Sequence, residues 1–195
     1  VITQVFNRTG SNTFWQQASA PIDELVTVLN TWAEFGEKPL CVGNKSLIGQ
    51  LLGHPNINSK VSLMNFVGLR GSNAAEDCSV VFVTGRNEPP PIEVDHKARA
   101  LFWDDDIPLH HDEFGENQNL PLEVRGFLTS ERYKGERAGI ETRTFSDSRI
   151  EAVHQQIREA ESIQAIARLR LVHNKQRKQV FILSNVPLEI PIDHL

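Results

Sequence analysis

Sulfur is scarce in this chain, with only two cysteines, Cys41 and Cys78, and one methionine among 195 residues. That excludes a disulfide framework and a cysteine-rich metal cluster. Each cysteine sits in an apolar, strand-like run, so both are expected to be buried reduced thiols. No apolar run approaches the ~20 residues that span a bilayer. The start has neither the charged nor the apolar region of a signal peptide, so the expected setting is cytoplasmic, without a membrane partner. No G-x-S-x-G elbow occurs, which leaves a hydrolytic triad without support. Nor is there a His-x-x-x-His pair of the kind that holds catalytic zinc. Internal repeats and low-complexity tracts are also missing.

What is present suits a globular protein: 39% of residues are hydrophobic and 23% charged, enough apolar material for a core and too much for disorder. One domain with an insertion is the expectation. The net charge of -5 argues against a surface coated in basic groups, but it hides an asymmetry. Residues 76–123 carry twelve acidic and three basic side chains, whereas 149–178 carry seven basic and three acidic ones. A local basic face suffices to meet phosphates. The first residue is Val1 rather than an initiator methionine, so a portion of a longer protein is expected.

Strand and helix signals alternate along the chain. VITQVF (1–6) reads as a strand and PIDELVTVLNTWAEFG (21–36) as a helix with Leu25, Val28, Leu29 and Trp32 on one apolar face. KPLCVG (38–43) is a strand, and NKSLIGQLLG is a helix capped by Asn44 and stopped at Gly53. VSLMNF (61–66) is a third strand. CSVVFVTG (78–85) is a continuous apolar run of the kind that fills a sheet covered on both faces. The pattern predicts the α/β class with a largely parallel sheet. It breaks over residues 86–145, an expected insertion comprising a proline linker, a short helix (92–103), a polar acidic loop and a β-hairpin formed by LEVRGFLTS and RAGIETRTF. A helix from about Ser148 and the strand VFILSN then resume the alternation.

Three blocks carry chemistry. KPLCVG with NKSLIGQLL opens the unit. GLRGSN places Arg70, Gly71, Ser72 and Asn73 in a turn before the buried strand; Gly71 permits a tight turn and close approach to a ligand, and the others supply donors and acceptors. QAIARLR ends the long helix with Gln164, Arg168 and Arg170. Gln164 and Arg168 share a helical face, and guanidinium forks match phosphate oxygens. The plainer alternative for that helix is an amphipathic element with Ile157, Ala160, Ile163, Ile166 and Ala167 buried and its arginines solvated at the carboxyl end.

In this order the blocks resemble the second, C-terminal motor lobe of superfamily 2 helicases: its opening strand and helix, its Arg-Gly-x-Asn turn and its Gln-x-x-x-Arg helix. The chain departs from that pattern at Ala167, where glycine is usual, at Asn73, where aspartate is commoner, and in the short spacing from Gln164 to Arg170. The resemblance implies a RecA-like three-layer lobe with an inserted helix and β-hairpin. Arg168, with Arg170, would act as an arginine finger, Gln164 would orient or sense phosphate, and Arg70, Gly71, Ser72 and Asn73 would relay between nucleotide and strand. DNA or RNA would be the partner, with ATP and Mg²⁺ as cofactors. No G-x-x-x-x-G-K-[ST] sequence occurs here, so this chain alone is expected to be inactive, an N-terminal P-loop lobe or partner subunit supplying the phosphate cradle.

Among the remaining residues, Tyr133 and Lys134 at the hairpin tip are candidates for strand contact. Trp32 reads as core, and Phe102 with Trp103 as a hydrophobic anchor at the end of the inserted helix. Asp104, Asp105, Asp106, His110, His111, Asp112 and Glu113 read as a solvated acidic loop rather than a metal site. The alternative to a motor lobe is a non-catalytic α/β module that binds protein or nucleic acid through these arginines and the hairpin.

Overall fold

The computed structural model describes residues 1–7, 10–16, 19–69, 76–113, 120–136, 138–168 and 177–195. In chain order the elements are β1 (Ile2–Val5), α1 (Asn12–Gln16), α2 (Ala20–Glu34), β2 (Pro39–Gly43), α3 (Lys45–Leu52), β3 (Ser62–Asn65), a 3-10 turn (Val67–Leu69) and β4 (Val80–Thr84). The insertion follows as α4 (Pro91–Leu101), β5 (Leu122–Gly126) and β6 (Gly139–Arg143), and the chain closes with α5 (Ser148–Ala167) and β7 (Gln179–Leu183). Five strands make one parallel sheet in the order β1-β7-β4-β2-β3, while β5 and β6 form a separate antiparallel pair. The chain is therefore an α/β protein.

Period-2 alternation divides the sheet between two cores. In β4, Val80 and Phe82 face α2 and α3, joining Leu25, Leu29 and Leu47. Val81 and Val83 face the other way, meeting Ala165 and Ile166 of α5 together with Val186 and Ile192. Burial on both sides explains why β4 reads as an unbroken apolar run. A third cluster joins Val94 and Ala98 of α4 to Ile150 and Val153 of α5, with Leu120 and Phe145 between them. The insertion is thus fastened to the amino-terminal half of α5.

Local signals act where expected. Pro21 lies in the first turn of α2, where its missing N–H costs nothing. Asn44 caps α3, its Oδ1 accepting from the Leu47 N–H at 2.8 Å, and Gly53 ends the helix. Gly85 takes φ +77°, and a Cβ there would collide with the Gly10 carbonyl oxygen, so the exit from β4 can lie against the loop after β1 only as glycine. Both cysteines are free and buried, and burial pushes the Cys41 thiol up to about 12 despite its contact with Thr84. Trp32 is half-buried against Phe181, consistent with a core role.

Two details depart from the sequence reading and a third adds to it. Part of the polar stretch after β1 forms the short helix α1, with Trp15 buried and its Nε1 donating to the Gly10 carbonyl. Trp103 is 79% exposed and anchors nothing; α4 ends at Leu101, and it is Phe102 that packs into the third cluster beneath Arg149. The acidic loop is strapped to the start of α5: Arg149 donates to Asp105 and to the Ile107 and Pro108 carbonyls, and Asp147 accepts from the His110 N–H. Asp112 accepts from Ser146, and His111 pairs with Asp95. Among the described residues no group of His, Cys, Asp and Glu is arranged to hold a metal ion, and no helix is long and apolar enough to cross a membrane.

Candidate functional site

The long helix α5 organises the site. Its carboxyl end carries Gln164, exposed, and Arg168, half-buried, which is the C-cap and donates its N–H to the Gln164 carbonyl at 3.1 Å. Helix α5 packs against the 3-10 turn Val67–Leu69, and its Ala165 and Ile166 share a core cluster with Phe66. That turn, the last described element before Arg70, lies beside the helix that bears Gln164 and Arg168. Arg70, Gly71, Ser72, Asn73 and Arg170 themselves lie outside the described residues.

Tyr133 and Lys134 belong to another place. The segment after β5 docks on the carboxyl-terminal strip, Ser130 N–H donating to the Ile192 carbonyl, and that strip bridges to Thr3 of β1. β1 and β3 are the two edges of the sheet, about 19 Å apart at ~4.8 Å per strand. The hairpin is thus anchored toward the opposite edge from the 3-10 turn. Lys134 is exposed, whereas the Tyr133 hydroxyl donates to the Glu136 carbonyl and folds the ring over Gly135.

The buried face of α5 differs from the predicted apolar stripe. Ile157, Ala160 and Ile163 are half-buried and Ala167 is exposed, while Glu151, His154, Arg158, Glu159 and Glu161 are buried with Ile150, Val153, Ala165 and Ile166. The reason is an ionic network supplied from outside the helix. His154 Nε2 lies 2.9 Å from Glu88 Oε1, and its Nδ1 lies 3.2 Å from Glu151 Oε2. Arg158, 2% exposed, reaches Glu159 at 2.8 Å, Glu151 at 3.4 Å and the Arg143 carbonyl at 3.2 Å. Arg125 of β5 forks onto both oxygens of Glu159. Arg86, just past β4, pairs with Glu88 and donates to Asn185 Oδ1 at 2.8 Å. The network ties the exit of β4, both strands of the hairpin and α5 into one unit.

Comparison with protein-family models, curated proteins and solved structures gives no match. The site is therefore argued from its own chemistry.

These residues escape a reading of periodicity. Glu151, His154 and Arg158 share a helical face at spacings of three and four, a signal visible in the sequence. Glu88 lies 66 residues from its partner His154 and Arg125 lies 34 from its partner Glu159, and no local pattern announces either.

The network makes stability pH-dependent at both ends. Burial alone disfavours the His154 imidazolium, but hydrogen bonds to Glu151 and Glu88 outweigh it and raise the pKa above its ordinary value. Burial likewise disfavours the Glu88 and Glu151 carboxylates, yet the bonds to His154 and the nearby arginines hold both below theirs. The imidazolium contribution is complete below the unfolded value of about 6.5 and is lost as pH rises through the raised folded value. The carboxylate contribution is complete above about 4.3 and is lost as pH falls through the depressed folded values. The part of the melting temperature due to this network should be greatest between about pH 4.3 and 6.5, and His154→Gln should flatten its alkaline limb in thermal melts. Identical alkaline limbs in wild type and variant would show that His154 is not protonated in the fold.

Proposed function

We propose that this chain is the C-terminal motor lobe of a superfamily 2 helicase-like ATPase, which completes a nucleotide site whose phosphate cradle lies on another lobe and carries strand contacts of its own. One observation supports the reading above the others. Helix α5, which bears Gln164 and Arg168, packs against the 3-10 turn that precedes Arg70, and its Ala165 and Ile166 share a core cluster with Phe66, so two segments nearly a hundred residues apart meet on one side of the sheet. A parallel sheet with ligand-facing turns after its strands suits this use. Among the described residues the Arg168 guanidinium has no ion-pair or hydrogen-bond partner, which leaves it available for an incoming phosphate. Arg168 would stabilise the charge on the transferring phosphoryl group, Gln164 would orient or sense it, and closure between lobes would couple hydrolysis to strand movement. ATP and Mg²⁺ would be held mainly by the other lobe.

The test is strand-stimulated ATP hydrolysis by the polypeptide or complex that joins this chain to a phosphate-cradling lobe. The motor reading expects turnover that rises when single-stranded DNA or RNA is added. An assembly that binds the strand but never hydrolyses ATP would replace it with the non-catalytic module. That second reading is favoured by Leu122 and Val124, which stand exposed on β5 as an apolar face suited to a protein partner.

A further inference from the structure

Helices α2 and α3 cover only part of the sheet face on which Phe82 lies. Register puts Phe181 and Leu183 of β7 and Val5 of β1 on that same face, because Phe82 pairs with Phe181 and Leu183 with Val5. Phe181 and Leu183 are half-buried and Val5 is 42% exposed. A cavity of about 410 Å³ opens there, lined by these residues, by Phe14 and Trp15 of α1, and by one face of α2. Its size lies within the roughly 300–1,000 Å³ of ligand pockets. Asn7 and Gly10, just past β1, also line it, so it lies toward the carboxyl ends of the strands, where parallel sheets take ligands.

The lining is set before any ligand arrives. Phe82 stacks on Phe181 with ring centroids 4.9 Å apart and planes at 13°, and Trp32 tilts onto Phe181 at 5.6 Å. The Trp15 indole donates to the Gly10 carbonyl at 3.0 Å, tying α1 to the loop after β1. Along α2, Pro21, Glu24, Leu25, Val28 and Trp32 line the cavity at helical spacing, and Glu24 alone of them is polar. Neither lysine nor arginine joins the lining among the described residues. Asp23 sits in the first turn of α2 and pairs with His54. Glu24 lies past that turn, is exposed, and has no hydrogen-bond or ion-pair partner among the described residues. An uncompensated carboxylate beside an aromatic lining repels anions and attracts a cation, which the ring faces favour too.

We propose that this cavity binds a small ligand made of an aromatic ring bearing an ammonium group, the ring among Phe14, Trp32 and Phe181 and the ammonium beside Glu24. The cavity lies on the face of the sheet opposite α5, so Gln164 and Arg168 take no part in it. Its charge disfavours the phosphates of a nucleotide or a strand.

The experiment is an NMR titration of the full chain with phenethylamine, phenethyl alcohol and phenylacetate, which share one ring and differ in charge. The amine should bind at about millimolar strength, as suits a fragment of this size, and about 5- to 10-fold more tightly than the alcohol. The indole N–H signals of Trp15 and Trp32 should shift, and that of Trp103, exposed and outside the lining, should not. Glu24→Gln should lower the affinity for the amine to that for the alcohol and leave the alcohol unaffected. Asp23→Asn, an equal charge change one residue away, should keep the preference for the amine. Equal wild-type affinity for amine and alcohol, tighter binding of phenylacetate, or equal losses from both variants would overturn the site. So would unmoved Trp15 and Trp32 signals with all three compounds.

Discussion

Arg168→Ala, made in an assembly that joins this chain to the proposed nucleotide-binding lobe, is expected to lower ATP turnover roughly 10³- to 10⁵-fold while leaving ATP binding intact, the range that arginine fingers supply. The effect is large because the guanidinium would act on charge that develops only in the transition state, in a closed and partly dehydrated cleft. Arg168→Lys should recover little, since an ammonium keeps the charge but loses the planar fork. The fold should survive either change: Arg168 is half-buried at the helix end and its backbone bond to Gln164 does not involve the side chain. Measuring kcat alongside nucleotide affinity separates the outcomes. Wild-type kcat in Arg168→Ala would remove the finger from this residue, and a raised Kd with unchanged kcat would make it a binding group only.

Arg158→Ala is the substitution expected to hurt stability most. Its side chain is 2% exposed and holds Glu159, Glu151 and the Arg143 carbonyl. Truncation leaves Glu159 to Arg125 alone, leaves Glu151 to His154, Gln155 and the Phe145 N–H, and strips the Arg143 carbonyl of its donor; breaking a buried ion pair from one side costs about 3–5 kcal/mol. For a domain of this size that corresponds to a fall of roughly 6–20 °C in melting temperature. The damage should spread to the hairpin, because Arg158 bonds β6 directly and shares Glu159 with Arg125 of β5. Faster amide exchange is therefore expected across Leu122–Gly126 and Gly139–Arg143. Replacing Arg158 by methionine together with Glu159→Leu should cost less than the sum of the two single changes, since the pair removes mutual desolvation as well as attraction. A wild-type melt for Arg158→Ala would mean that these charges are hydrated rather than paired.

The strand-and-helix framework was legible because its causes are local. Asn44 caps the helix that it precedes, Gly53 stops it, and the Val80–Thr84 run announces a strand covered on both faces. The hairpin followed from two strand-like runs around a turn. Misreadings arose where burial was supplied from elsewhere. Trp103 is apolar enough to anchor a helix, yet α4 ends before it and the third cluster takes Phe102 instead. The acidic loop is solvated as read, with Asp104, Asp105, Asp106, His110 and Glu113 exposed, but nothing nearby in sequence shows that Arg149 and Asp147, some forty residues on, tie it to α5. The candidate site divides in the same way: the sequence names Gln164 and Arg168 by their spacing, but their proximity to the turn before Arg70 depends on where α5 lies across the sheet.

By itself, then, the sequence determined the α/β class, the positions of the strands, the interruption between β4 and α5, and the arginines at the helix end. These depend on the period of apolar residues and on turn chemistry, which act over a few residues. Only the tertiary structure decided which face of α5 is buried. A helical stripe is buried according to what it meets: Glu88, itself paired with Arg86, arrives from a distant segment beside His154, and Arg125 arrives beside Glu159, completing a network in which Arg158 and Glu151 pair within the helix. Charge complementarity across those separations turned the polar face of a helix into an interior one.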